Sequence, residues 1–188
     1  MKKIFENVVF DKVESTASYS DEYNNCTFKN CDFSNVNFDF AELIDCLFLS
    51  CNLTMAKLGN TTLSRVKFDS CKLLGVDFSK CSKFLFSISF ENSMLNYSLF
   101  SRNDLKNTLF NNCKLNEVSF IETNLTSAKF LNCDLEKAIF DRTNLEKADF
   151  STSQNYTINP ELNKLKKTKF SMPDVIGLLH NLDIIITE

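Results

Sequence analysis

The chain has 188 residues, enough for one domain with a core of its own, and its formal charge is -3 with 24% charged residues. That balance is too mild for a nucleic-acid binder driven by net charge and too mixed for an acidic tail. Three glycines and two prolines stand beside nineteen phenylalanines and no tryptophan, so this chain turns largely without the usual turn residues.

Residues 1–25 are expected to form an N-terminal cap and loop. MKKIFENVVFDKV carries charges close on both sides of a short apolar patch, unlike a signal peptide. No apolar run approaches the ~20 residues that span a bilayer. A soluble cytoplasmic protein with reduced cysteines is therefore expected. IFENVVF offers Phe5 and Phe10 to a terminal layer, whereas DKVESTASYSDEY, residues 11–23, reads as a loop.

From residue 26 to 150 a large apolar residue falls on every fifth position, a period that fits neither a strand nor a helix. The first run contains Phe28, Phe33, Phe38, Leu43, Phe48, Leu53, Leu58, Leu63, Phe68, Leu73 and Phe78. In the second, thirteen successive members from Phe90 to Phe150 alternate Phe and Leu without a break, among them Phe110, Leu115, Phe130 and Leu135. Two residues before each lies a mostly small one, such as Cys26, Val36, Ala41, Thr123 or Ala148. Between the runs, SKCSKFLFS shifts the frame by two residues near 79–87. With Leu85 as the intervening centre, the alternation stays in register. The slip reads as a corner bulge, or as a hinge or binding lip using Phe84 and Phe86.

This spacing resembles the pentapeptide repeat, idealised as A(D/N)LXX. The resemblance implies an all-β fold, a right-handed quadrilateral β-helix in which four five-residue sides make each coil. The physics agrees: each unit can turn its large and small residues inward and three positions outward, while stacked coils satisfy one another's backbone groups. About six to seven coils are expected from this length of repeat. With twenty residues per coil, the alternation places Phe on two opposite sides and Leu on the other two. The expected core includes Phe28, Phe48, Phe68, Phe90, Phe110, Phe130, Phe150, Leu115 and Leu135.

Residues 151–188 form a connector and a C-terminal module. Ser171, Pro173 and Asp174 make a helix-start signature. Val175, Ile176, Leu178, Leu179 and Leu182 supply an apolar face, Asp183 closes the helix, and Ile184, Ile185 and Ile186 read as a short strand. Such a module caps the last coil, alone or together with dimerisation through Val175, Ile176, Leu179, Leu182, Ile184, Ile185 and Ile186 across a two-fold axis.

The order of repeats, lysine-bearing connector (Lys164, Lys166, Lys167, Lys169), capping helix and apolar strand resembles the quinolone-resistance (Qnr-type) pentapeptide-repeat proteins. That resemblance implies a homodimeric rod that mimics DNA, binds DNA gyrase and topoisomerase IV, and protects them from quinolones. Larger Qnr proteins carry long loops, and this sequence has no long mid-coil loop. A different class of function is a scaffold presenting side chains to an unrelated protein partner.

The chemistry-bearing residues point away from catalysis. All eight cysteines fall on the small inward position, and C-x2-C spacing is absent. His180 has no second histidine or nucleophile beside it, and Gly59, Gly75 and Gly177 make no phosphate loop. No enzyme, cofactor or metal site is expected. Acids and bases over the four sides count 3:3, 4:3, 4:4 and 4:4, so no side is a negative stripe. The expected topoisomerase surface is Glu136, Asp141, Glu146 and Asp149, near the anticipated dimer centre. Leu47, Leu49, Leu109 and Leu131 form a second candidate strip on one side.

Overall fold

A computed structural model describes residues 2–14, 19–182, 184–185 and 187. The backbone meets the five-residue period by extending and then turning at a corner. Among the described residues, twenty-seven other than glycine have positive φ, nearly all at those corners, including Asn30 (54°), Asn35 (59°) and Asn112 (54°). At many corners, on at least three sides, the chain closes a hydrogen-bonded four-residue turn. In the turn Phe33–Val36, the Val36 N–H donates to Phe33 O at 3.1 Å, with Asn35 at the position that a type II turn requires to be left-handed. Asparagine tolerates this region better than most residues, which explains how the chain turns with so few glycines.

One side of the solenoid is a nine-stranded parallel sheet running from Val9–Asp11 to Lys169–Phe170. A second is a four-stranded parallel sheet of Ile4–Glu6, Glu22–Asn24, Glu42–Ile44 and Thr62–Ser64. The remaining two sides pair through single parallel bridges, such as Asp32 with Asn52 and Asn37 with Lys57. Nine stacked strands correspond to about eight turns, more than the six to seven expected, because chain on both flanks of the repeat also winds.

Phe28, Phe48, Phe68, Phe90, Phe110, Phe130 and Phe150 are buried in one column, with successive ring centroids 4.5–5.3 Å apart. Phe78, Phe100, Phe120 and Phe140 stack opposite, and the two columns meet edge to face, as at Phe110 and Phe120 (5.9 Å, 83°). Leu115 and Leu135 are buried beside them. The Phe/Leu alternation therefore gives two aromatic stacks that touch across the interior, with leucines filling the flanks.

Small inward residues satisfy carbonyls of the preceding coil. Thr123 Oγ1 donates to Phe100 O at 2.9 Å and Thr143 Oγ1 to Phe120 O at 2.7 Å. Cys46 Sγ reaches Tyr23 O at 3.2 Å in the same manner. All eight cysteines are buried and free, acting as small apolar groups with a weak donor.

Four expectations need correction. Leu85 is not the intervening centre: it is 60% exposed, and Phe86 packs against the core in that coil. The 22-residue offset between Phe68 and Phe90 matches the slip, but the left-handed backbone of Leu85 (φ 53°) turns its side chain out. Segment 11–23 is not simply a loop. Asp11 ends a strand, Glu22 begins another, and Tyr19 packs on Phe33 and Phe38 at 5.1 and 5.2 Å. Residues 15–18 lie outside the described residues.

The C-terminal helix is replaced by two 3-10 turns, Asp174–Leu178 and His180–Leu182. Gly177 explains the difference: its carbonyl accepts from Ile158 N–H at 3.2 Å, and a Cβ there would lie 1.9 Å from Tyr156 O. Docking on the last coil thus takes precedence over helical bonding. Ile184 and Ile185 form no strand, because neither gains a ladder partner, while Asp183 and Ile186 lie outside the described residues.

Candidate interaction surface

Every unit presents three side chains outward, and stacking places equivalent positions one coil apart. Opposite charges use that geometry to pair along the axis. Arg65 chelates Asp45 (2.5 and 2.7 Å), Lys67 reaches Glu91 at 3.0 Å, and Glu122 bridges Arg102 (2.7 Å) and Arg142 (3.3 Å). The Arg102 hydrogen bond and charge hold the Glu122 carboxyl below its ordinary range. These exposed pairs add little stability individually, but they neutralise the sides locally.

The four acids expected to bind a partner belong to one coil and fall on four different sides. Glu136 follows Leu135, Asp141 follows Phe140, Glu146 follows Leu145, and Asp149 precedes Phe150. They ring the rod rather than form one acidic face. Asp141 lies 3.2 Å from Arg142, and Asp149 lies 3.1 Å from Lys169. Burial pushes the Asp149 carboxyl up, but hydrogen bonds from Ser151 and the Lys169 ammonium outweigh it and hold its pKa below the ordinary value. Glu136 and Glu146 make no ion pair among the described residues.

Leu47, Leu49, Leu109 and Leu131 are half-buried on the long sheet. Lys67, Asp69, Ser89 and Glu91 separate the first pair from the second, so they form no continuous strip.

At the C-terminal end the structure does gather several predicted residues. A cleft of about 700 Å3 is lined by Glu136, Tyr156, Ile176, Leu179, His180 and Ile184, among others. Ile176, Leu179, Leu182, Ile184 and Ile185 are exposed, Ile185 by 92%, whereas Val175 is half-buried. Tyr156 was missed in sequence because it lies off the five-residue beat. It is buried on Phe150 and Phe170, where burial raises its pKa against the opposing influence of Ser171. Among the described residues, no group of three or more His, Cys, Asp or Glu side chains is placed to hold a metal ion, and no helix is long and apolar enough to cross a membrane.

A model described as a pentapeptide repeat region matches residues 22–100, and one described as pentapeptide repeats (8 copies) matches 104–142 and 119–153. No curated protein matches the sequence. Among solved structures, trypsin-treated QnrB1, titled a plasmid-mediated fluoroquinolone resistance protein, is similar at 24% identity and TM-score 0.53, over 97% of this chain and 99% of that one. Full-length QnrB1 is 19% identical with TM-score 0.39, covering 97% and 100% of the two chains. HetL, a pentapeptide repeat protein of Nostoc sp. strain PCC 7120 involved in heterocyst differentiation regulation, is 15% identical with TM-score 0.29, covering 91% and 90%. These likenesses concern the fold. With both repeat runs matched and their inward columns filled as the five-residue period requires, the chain belongs to the pentapeptide-repeat family.

Proposed function

We propose that this chain is a non-enzymatic, cytoplasmic rod of the quinolone-resistance type, which binds DNA gyrase or topoisomerase IV in the manner of a DNA mimic and protects it from quinolones. The observation that carries this reading is the end-to-end likeness to trypsin-treated QnrB1, in which the solenoid and the C-terminal module are both spanned. The rod dimerises through its C-terminal end. Supporting this are the exposed Ile176, Leu179, Leu182, Ile184 and Ile185, a larger apolar patch than a lone surface residue makes. Two copies joined there would also bring Glu136, Asp141, Glu146 and Asp149 of both chains near the centre of the rod.

The test is a gyrase supercoiling assay with added protein, with and without ciprofloxacin, alongside the mass of the protein in solution. Restored supercoiling in the presence of drug supports the proposal. Neither protection nor inhibition at ~10 μM protein, a concentration well above a specific interface's typical dissociation constant, refutes it. The balanced charges and the lack of long mid-coil loops favour a second reading, a scaffold for an unrelated protein partner.

A further inference from the structure

Between Phe78 and Phe90 the repeat loses its spacing. Phe86 packs on the core eight residues after Phe78 and four before Phe90, where the beat elsewhere is five and five. The extra chain is pushed outward, leaving Phe84 71% and Leu85 60% exposed. Beside it the bulge opens a cleft of about 580 Å3, lined by Arg65, Lys83, Leu85, Phe86, Arg102 and Asp104 among others. Three cations and one carboxylate thus line the cleft, at the corner where two sides meet.

The cations differ in how far they are committed. Arg65 is chelated by Asp45, and Arg102 gives Nε to Glu122. Lys83 donates to Ser79 O (3.1 Å) and Asn103 Oδ1 (2.8 Å) and makes no ion pair among the described residues. Desolvation lowers its pKa, against the opposing pull of Cys81 and Asp77. Lys83 is thus partly desolvated and free of an ion pair, with the exposed Leu85 lining the cleft beside it, so a carboxylate placed there would give the ammonium a charge-assisted partner.

We propose that this cleft binds an extended acidic segment of a partner protein, its carboxylates against Lys83 and Arg102 and an apolar side chain against Leu85 in the cleft, continuing onto the exposed Phe84 next in the chain. A nucleic-acid backbone fits less well. It needs a continuing basic track, and of the three cations lining this cleft Arg65 is closed off by Asp45 and Arg102 already gives Nε to Glu122, which leaves Lys83 and the rest of the Arg102 guanidinium, enough for one or two carboxylates but not for a run of phosphates. The apolar lip adds contact area that a polyphosphate would leave unused.

Fluorescence anisotropy tests the proposal with the full chain and a labelled peptide, Glu-Glu-Phe-Glu-Leu-Glu-Glu. Controls are its glutamine counterpart, heptaglutamate and a single-stranded oligonucleotide. The acidic apolar peptide should saturate, with affinity falling as salt rises. Lys83→Glu should weaken it about tenfold or more, and Phe84→Ser about threefold or more. Phe84 lies in the exposed bulge, so the second variant keeps its fold if the first does not; circular dichroism checks both. No saturation by about 1 mM peptide, equal binding of the glutamine peptide or of heptaglutamate, tighter oligonucleotide binding, or indifference to both substitutions would overturn the proposal. No topoisomerase is present in this assay, so its outcome is independent of the function proposed above.

Discussion

Replacing Phe130 with alanine interrupts the longer aromatic column at its centre of contacts. The ring is fully buried, stacks on Phe110 at 4.8 Å and Phe150 at 4.5 Å, and meets Phe120 and Phe140 edge-on at 5.8 and 6.5 Å. Truncating a buried Phe costs about 3–5 kcal/mol, and the cost rises where the surroundings cannot collapse into the space. Here the coils on either side are held by backbone hydrogen bonds, such as Lys129 N–H to Thr108 O and Asp149 N–H to Ala128 O, each 2.9 Å. Collapse is therefore resisted, and aromatic pairing adds about 0.5–1.5 kcal/mol per contact beyond area.

We expect Phe130→Ala to lose about 5 kcal/mol, the upper end of the range. Phe10→Ala should lose about 2 kcal/mol, because that ring is partly exposed and its column continues only toward Phe28. Phe84→Ala should change stability by about 0.5 kcal/mol or less. Urea denaturation followed by far-ultraviolet circular dichroism ranks the three. If unfolding proceeds in steps, as in long repeat arrays, the midpoint of the transition reporting the central coils is the quantity compared. A loss for Phe130→Ala within about 1 kcal/mol of that for Phe84→Ala would refute the stacked-column account.

Three further outcomes follow from local geometry. Asn35→Ile places a β-branched residue at φ 59° and should cost about 1–2 kcal/mol by denaturation, whereas Asn35→Gly should stay within about 0.5 kcal/mol. Gly177→Ala collides with Tyr156 O, so hydrogen exchange over residues 171–182 should accelerate while residues 90–150 keep their protection. Burial pushes the Cys46 thiol up to about 11 and the Cys81 thiol up to about 12, so at pH 8 both are held as unreactive thiols. Their alkylation should be slow in the native protein and rapid after unfolding, as read by mass spectrometry. Because the raised pKa values favour the protonated form in the fold, the stability they contribute is present below the ordinary thiol value of 9.0 and is lost as pH climbs toward 11–12.

The inward columns were legible because a closed coil has no freedom in them: every fifth side chain must enter an interior that admits only so much volume. The Phe/Leu alternation, the buried cysteines and the frame slip all carry that constraint in one dimension. The acids of the candidate surface obey no such rule. Glu136, Asp141, Glu146 and Asp149 are close in sequence, yet a coil that turns a corner every five residues sends each to a different side.

Sequence alone therefore determined the period and the core, since both follow from which residues must face inward. Tertiary structure alone decided which residue fills a broken beat, and there Phe86 displaced Leu85 because backbone handedness, rather than hydrophobicity, sets direction. It also decided the fate of the C-terminal segment. Its apolar pattern suits a helix, but Gly177 meets the carbonyl of Tyr156, and contact with the last coil outweighed the local preference.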